Sequence, residues 1–183
     1  LKINETSLDM EGGRHDKQPF ISGGEMLSIE RSADRGQAAG LLPDMESRRS
    51  AVADNANRSL TWTLPREIQL SDPVVLTFQL EEENRALYDY IHIRAEENSS
   101  ATVIIQYRGN PEGPCTHGGF CSVEAAPGAQ VKLIKAQMLY GSDVHMDMTA
   151  MRLMEGARGE VLLYEMGAVH TVAACNLLLE GKG

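Results

Sequence analysis

Apolar and polar residues alternate with a period of two over most of the chain from Leu60 onward. The alternation is clearest over residues 76–80, 91–93, 101–107, 131–133 and 161–163. A β-strand places successive side chains on opposite faces of its sheet, so this period predicts strands with one buried face. No window after Leu60 shows a long helical period. The pattern excludes a helical bundle and predicts an all-β fold.

The strand pattern itself repeats. Three segments each predict a strand, an acidic corner with small residues and a second strand: residues 93–105, 123–133 and 153–163. The second strands begin near Val103, Val131 and Val161, at spacings of 28 and 30 residues, and a fourth copy begins at Leu177. Repeats of this length without a crossover helix predict a parallel β-helix, also called a β-solenoid. An antiparallel β-sandwich, whose strands come at similar intervals, is the alternative.

This fold makes a prediction about register. Val103, Val131 and Val161 are expected to stack on the inner face of successive turns, with parallel pairing between the turns. Lys132 is expected to point to the other face of its strand, because it is adjacent to Val131.

The first 58 residues differ in character from the remainder of the chain. They are polar, rich in Gly, Arg, Asp and Ser, and have no sustained apolar period. A short helix capped by Asp44 is expected to run through Ala53. The apolar residues of its narrow stripe are Met45, Ala51 and Val52. We predict an N-terminal extension with short elements over residues 1–58 and a β-helical core over residues 59–183.

Charge and cysteine content narrow the range of functions. Among 183 residues, 26 are acidic and 17 basic, for a net charge of -9. Such a surface repels nucleic-acid phosphates and anionic lipids. The three cysteines are too few for a disulfide scaffold and favour a reducing compartment such as the cytoplasm. The sequence contains none of the glycine-rich nucleotide motifs, so any use of ATP is expected to come from a partner.

Cys115, His117 and Cys121 form a C-x-H-x3-C pattern in the glycine-rich segment GPCTHGGFC. Thiolates and imidazole are suitable ligands for zinc, iron or an iron–sulfur cluster. A tetrahedral site needs a fourth ligand, which Cys175 or His145 could supply from a neighbouring turn. The alternative interpretation is two buried cysteines and an exposed loop histidine.

Three other features suggest chemistry less directly. Cys175 lies in the apolar segment TVAACNLLL and is predicted to be a core residue. The run HMDM from His145 to Met148 contains soft copper ligands, but methionine more often fills gaps in a core. Asp143 and Asp147 are the only close acidic pair near a histidine, which leaves carboxylate-based carbohydrate hydrolysis as an alternative function.

Several segments resemble the core of the SufB/SufD family, and they occur in the family's order. They are LSDPVVLTF (residues 70–78), IHIRAEENSSATVII (91–105), EGPCTHGGFCSVEAAPGAQVKLIKAQML (112–139) and DMTAMRLMEGARGEVLLYEMGAVHTVAACNLLLEGKG (147–183). Together with the strand pattern, the resemblance extends from Leu60 to Gly183. Family members usually continue for more turns and a helical C-terminal domain, so this chain resembles a short or truncated member.

The resemblance implies a right-handed parallel β-helix and a non-enzymatic scaffold role in SUF iron–sulfur cluster assembly. It implies a SufC-type ATPase and a SufB/SufD paralogue as partners, with iron or an iron–sulfur cluster held transiently. It also implies that Cys115 helps to hold the nascent cluster. We expect a homodimer, or a heterodimer with a longer paralogue, formed through the C-terminal turns. The alternative is a β-helical protein that binds or degrades carbohydrate.

Overall fold

The computed structural model describes residues 20–22, 29–30, 43–82 and 85–181. Its elements are β1 (Phe20–Ser22), β2 (Ile29–Glu30), α1 (Pro43–Asn55), β3 (Arg58–Leu64), β4 (Val74–Gln79), β5 (Ala86–Ala95), β6 (Ser100–Arg108), β7 (Thr116–Ala125), β8 (Gln130–Met138), β9 (Val144–Met154), β10 (Arg158–Glu165) and β11 (His170–Glu180). No helix within these ranges is both long enough and apolar enough to cross a membrane.

Successive strands from β3 to β11 alternate between two facing sheets. Sheet A has the order β1-β4-β6-β8-β10, and sheet B has the order β11-β9-β7-β5-β3-β2. The pairs among β3 to β11 are parallel, whereas β1 and β2 pair antiparallel with β4 and β3. The result is a β-solenoid of about four turns. The predicted solenoid is therefore confirmed, and the antiparallel sandwich is wrong.

The register differs from the prediction at one position. Val103 pairs with Leu133 and Leu133 with Val161, whereas Val131 pairs with Ala101 and Gly159. The spacings in sequence between paired residues on successive turns are therefore 30 and then 28, and not 28 and then 30 as predicted. The cause is the loop between β6 and β7, residues 109–115, which is two residues longer than the loop between β8 and β9, residues 139–143.

A shift of two residues keeps every side chain on its predicted face, because the side-chain period of a strand is two. Val131 is only 3% exposed and faces the interior. Lys132 faces outward, where its Nζ lies 3.1 Å from Glu160 on the next turn. The inward and outward assignment of these residues is confirmed.

The interior is apolar at one edge of the flattened solenoid and polar at the other. Strands β7 and β8 join at the apolar edge, which is lined by residues such as Val123 and Leu133. The corners at this edge use backbone with positive φ, at Gly128 (72°) and Gly156 (69°), a conformation that glycine adopts without a steric penalty. Buried polar side chains lie at the opposite edge.

Helix α1 packs on the outer face of sheet B. Met45, Val52 and Ala53 are buried there with Tyr90 and Phe120 of the sheet. The expected stripe was wrong at Ala51, which is exposed. Ala51 is six residues after Met45, so its side chain points about 120° away from that of Met45 around the helix axis.

Other expectations for the N-terminal part stay open. The capping role expected of the Asp44 side chain lies outside the described side chains, as do any elements over residues 1–19, 23–28 and 31–42. The division of the chain at residues 58 and 59 stays a prediction.

Candidate functional site in the solenoid interior

Eight polar side chains from six strands meet at the polar edge of the interior. We call them the interior polar cluster: Asp89 of β5, Tyr107 of β6, His117 of β7, Lys135 and Gln137 of β8, His145 and Asp147 of β9, and Glu165 of β10. All but Glu165 are buried. On each strand they are separated from the apolar inner residues by an even number of positions, so they face inward as well.

Four members of the cluster form a line of polar contacts across the interior. Nε2 of His117 lies 2.5 Å from Oδ1 of Asp89, and Nδ1 of His117 lies 2.8 Å from Nδ1 of His145. Nε2 of His145 lies 3.5 Å from Oε2 of Glu165, whose side chain is 27% exposed. The line therefore leads from a fully buried carboxylate to a carboxyl group that water can reach.

Contacts between aromatic rings hold the two histidines in place. The ring centroid of His117 lies 4.0 Å from that of Tyr107 and 4.7 Å from that of His145. The Tyr107 hydroxyl donates to Oδ2 of Asp89 at 3.1 Å. Both oxygens of Asp89 thus have a partner, which a buried carboxylate requires.

A buried ion pair lies beside these rings. Nζ of Lys135 is 2.7 Å from Oδ1 and 2.5 Å from Oδ2 of Asp147, and 5.8 Å from the ring centroid of Tyr107. Burial, the largest single effect, lowers the pKa of Lys135, but the contributions of Asp147, Cys121 and Asp89 together outweigh it, so the pKa is raised overall. Lys135 is therefore charged, and its charge is compensated within the cluster.

Burial has opposite effects on the two groups at the solvent end of the line. It lowers the pKa of His145 to about 4, with a further contribution from His117, so His145 is neutral near pH 7. Burial raises the pKa of Glu165, because the charged carboxylate loses hydration.

Gly119 has no side chain, and the interior polar cluster occupies the space that a side chain would fill. It pairs with Asp89 on one side and Asp147 on the other, so it is the inward residue between two carboxylates. A Cβ at Gly119 would lie 2.6 Å from Oδ1 of Asp147 and 2.9 Å from Cε1 of His117. Any larger residue would displace members of the cluster.

The structure places the predicted C-x-H-x3-C residues at successive positions along one turn, and all three are buried. Cys115 is buried before β7, where its N–H donates to Oδ1 of Asp143 at 2.7 Å. His117 and Cys121 both lie on the inner face of β7, and His117 is 1% exposed. The alternative of an exposed loop histidine is therefore wrong.

Metal ligation by these residues is not visible in the geometry. No three His, Cys, Asp or Glu side chains among the described residues are arranged to hold one metal ion. Both ring nitrogens of His117 lie within hydrogen-bond distance of other side chains, so a metal ion there would have to displace one of these contacts. Ligation by Cys115, His117 and Cys121 stays a prediction.

Two cysteines lie in one inward column across three turns. Cys121 pairs with Thr149, and Thr149 pairs with Cys175. Burial raises the pKa of the Cys121 thiol to about 12, so it stays protonated. The prediction of a buried Cys175 was wrong: the residue is exposed on β11, the last strand of sheet B.

The other candidate sites do not assemble. Strand alternation turns His145 inward, whereas Met146 and Met148 face outward, so these soft ligands do not form a copper site. Asp143 accepts the backbone N–H groups of Cys115 and Tyr140, and Asp147 binds Lys135. Neither carboxylate is available as the acid or base of a glycosidase.

Sequence reasoning missed most of the cluster. Asp89, Tyr107, Lys135 and Glu165 lie far apart in the chain, and only the strand register brings them together. A signal was nevertheless present. Lys135 has the inward parity of Val131 and Leu133, and Asp89 has that of Ile91 and Ile93.

Comparison with known proteins identifies the family. The family model described as "SUF system FeS cluster assembly, SufBD core domain" matches residues 78–183, which is more than half of the chain and includes the whole interior polar cluster. No curated protein and no solved structure matches the chain. The resemblance of the sequence to SufB and SufD is thereby confirmed. The chain belongs to the SufBD core domain family of the SUF iron–sulfur cluster assembly system.

Proposed function

We propose that the protein is a non-enzymatic scaffold component of SUF iron–sulfur cluster assembly. Iron, sulfide or a nascent cluster is its cargo, held transiently. The observation that carries the proposal is the polar, thiol-bearing interior within the part of the chain that matches the SufBD family. A purely structural solenoid core would be apolar, because every buried charge and polar group has to be compensated.

The cysteines support a role that depends on free thiols. Cys115, Cys121 and Cys175 are all free, which is typical of a reducing compartment such as the cytoplasm. Thiolates are the usual ligands of iron–sulfur clusters. We assign Cys115 as the first candidate ligand, as the family resemblance implies, with His117 and Cys121 as further candidates after a rearrangement of the line of contacts.

The proposed partners follow from what this sequence lacks and from its family. A SufC-type ATPase would supply ATP hydrolysis, since the sequence contains no nucleotide motif. A second copy or a SufB/SufD paralogue would pair through the last turns, where Leu177 and Leu179 are exposed. Sedimentation of the chain alone and with a paralogue tests this pairing, and a monomer in both samples would contradict it.

Anaerobic reconstitution tests the scaffold role. The protein is incubated with ferrous iron and sulfide, alone and with a SufC-type ATPase and a paralogue, and charge-transfer absorbance is recorded. We expect absorbance that Cys115→Ser lowers strongly. Thr102→Ser, a conservative change on the outer face of sheet A, is the control. Absence of protein-bound iron in every mixture would overturn the proposal. If Cys115→Ser binds as much iron as the wild type, Cys115 is not the ligand.

Carbohydrate degradation, the alternative function, is not favoured. Its two candidate carboxylates, Asp143 and Asp147, are buried and already bonded to other groups.

A further inference from the structure

Asp143 is a fully buried residue at the polar edge of the solenoid, outside the interior polar cluster. It directly precedes β9, just as Cys115 directly precedes β7 one turn earlier. The residues that follow them, Val144 and Thr116, are paired neighbours. Asp143 and Cys115 therefore occupy equivalent positions on successive turns. A buried carboxyl group needs hydrogen-bond donors, so its partners show what it holds in place.

Both carboxyl oxygens of Asp143 accept backbone N–H groups. Oδ1 accepts from the N–H of Cys115 at 2.7 Å, although the two residues are 28 positions apart in the chain. Oδ2 accepts from the N–H of Tyr140 at 2.7 Å, within the loop that Asp143 belongs to. The carboxyl group thus bridges the loop before β9 and the loop before β7.

The main chain of Asp143 is fixed as well. Its N–H donates to the carbonyl oxygen of Tyr140 at 3.0 Å, and its carbonyl oxygen accepts from the N–H of Val169 on the following turn at 2.8 Å. The next residue, Val144, donates its N–H to the carbonyl oxygen of Cys115 at 3.0 Å. Both backbone polar groups of Cys115 are therefore bonded to Asp143 or to its neighbour.

These backbone contacts determine where the Cys115 thiol lies. Cys115 is 2% exposed, and its Sγ lies 3.7 Å from the carbonyl oxygen of Gly113. A thiol is a weak donor, so this contact contributes little. The position of the sulfur atom follows from the position of the main chain.

We propose that Asp143 is a positioning residue for Cys115. Its carboxyl group holds the Cys115 main chain, and with it the thiol, at the closed polar edge of the solenoid. The use of this positioning rests on the proposed function, in which Cys115 is the first candidate ligand of the cargo. A ligand binds well when the surrounding structure holds it in one place, and Asp143 does this without touching the cargo itself.

The number of donors explains why the residue is aspartate. Asparagine has one acceptor oxygen, and its NH2 group cannot accept, so Asp143→Asn would leave one of the two N–H groups without a partner. Asp143→Ala would leave both without a partner. A buried N–H group without an acceptor is costly, so the loops should open toward water.

Alkylation of the thiols tests the positioning in the absence of iron and sulfide. The full 183-residue chain is treated with iodoacetamide under native conditions with a chelator, and mass spectrometry follows Cys115 and Cys121 separately. Cys121 is the internal reference, because it is fully buried on β7. Asn110→Ala is the control variant: it removes the hydrogen bond from the N–H of Glu112 to Asn110 in the same loop and leaves the contacts of Cys115 in place.

We expect Asp143→Asn to accelerate alkylation of Cys115 about 10-fold to 100-fold, the factor that corresponds to one lost hydrogen bond to a charged or buried group. Asp143→Ala should accelerate it further. Cys121 should change little in Asp143→Asn, and Asn110→Ala should match the wild type at both thiols. Lower stability alone would accelerate both thiols by the same factor, since global unfolding exposes both.

Two results would overturn the positioning role: unchanged alkylation of Cys115 in both Asp143 variants, or equal acceleration at Cys115 and Cys121. If neither variant folds, Gly109→Ala gives the second measurement. A Cβ at Gly109 would lie 2.8 Å from Oδ2 of Asp143, so it displaces the carboxyl group without removing it. Alkylation of Cys115 should again rise relative to Cys121, and an unchanged ratio would contradict the proposal.

The positioning role and the scaffold role can fail independently, because alkylation uses neither iron nor sulfide. If Cys115→Ser binds as much iron as the wild type in the reconstitution, Cys115 is not the ligand, and the alkylation result is unaffected. If alkylation contradicts the role of Asp143, the reconstitution still reports on Cys115.

Discussion

His117 and His145 are paired neighbours on β7 and β9, and their Nδ1 atoms lie 2.8 Å apart. Two buried imidazoles in such contact cannot both be charged, because like charges at this distance repel strongly in an interior that water does not reach. Burial, and after it the neighbouring His117, lower the pKa of His145 to about 4. This lowered pKa makes the stability of the solenoid dependent on pH.

His145→Gln should flatten the dependence of stability on pH. The pKa of His145 is about 4 in the folded chain against 6.5 for an ordinary histidine, so the unfolded chain binds more protons between these values. The free energy of unfolding should therefore fall by up to about 3 kcal/mol as the pH drops from 6.5 to 4. The variant should lack this decline.

Urea denaturation across this pH range measures the effect. His170→Gln, at an exposed position on β11, is the control and should follow the wild type. If the curves of His145→Gln and the wild type are parallel, His145 is not the group responsible.

Lys135→Met should destabilise the fold strongly, because it leaves the Asp147 carboxylate buried without its cation. Breaking a buried ion pair in this way costs roughly 3–5 kcal/mol. Lys132→Met removes a pair that is exposed on both sides and should cost at most about 1 kcal/mol. Denaturant melts of both variants provide the comparison.

The double variant Lys135→Met/Asp147→Leu separates the ion pair from packing. It should recover most of the stability lost by Lys135→Met, since no unpaired charge remains. A double variant that is no more stable than the single one would show that shape, and not charge, determines the cost.

The fold was predictable because alternation and repeat length are local signals. The register at Val131 was not, because a shift of two residues leaves the same side chains facing inward, and only the lengths of loops 109–115 and 139–143 distinguish the two registers. The odd or even position of a residue along a strand predicts which face of the sheet it occupies, but it does not predict which residue of the next strand it pairs with.

The site was predictable only in part, for the same physical reason. His117 and Cys121 attracted attention by residue type and were found buried on one inner face. Their actual partners come from other turns, and the cysteine and histidine spacing along the chain carries no information about them. Asp89 is 28 residues from His117 in sequence and 2.5 Å away in the structure.

Val131→Asp and Lys132→Asp should differ sharply despite being adjacent. Val131 is in the apolar part of the interior, so the first change buries a carboxylate without a partner and should cost several kcal/mol, on the order of 3 or more. The Lys132 side chain is exposed, and its change should cost about 1 kcal/mol or less. Equal losses in thermal melts would contradict the inward and outward assignment of β8.

Gly119→Ala should disturb the interior polar cluster through one methyl group. The new Cβ would lie 2.6 Å from Oδ1 of Asp147 and 2.9 Å from Cε1 of His117, closer than atoms approach without displacement. Asp147 is held by Lys135 and His117 by Asp89, so neither can move without weakening a buried contact. We expect a loss of about 1–3 kcal/mol, typical of overpacking.

Gly141→Ala is the matched control for this change. A Cβ at Gly141 meets no atom within 4 Å, so the same substitution there should alter stability by no more than about 0.5 kcal/mol. Denaturant melts compare the two variants, and the 15N shifts of the His117 and His145 rings report whether the cluster has moved. A stable Gly119→Ala protein with unchanged ring shifts would mean that the carboxylates do not approach β7 as closely as the structure places them. A loss of stability accompanied by shifted His117 signals would show that the missing side chain at Gly119 is what admits the buried carboxylates.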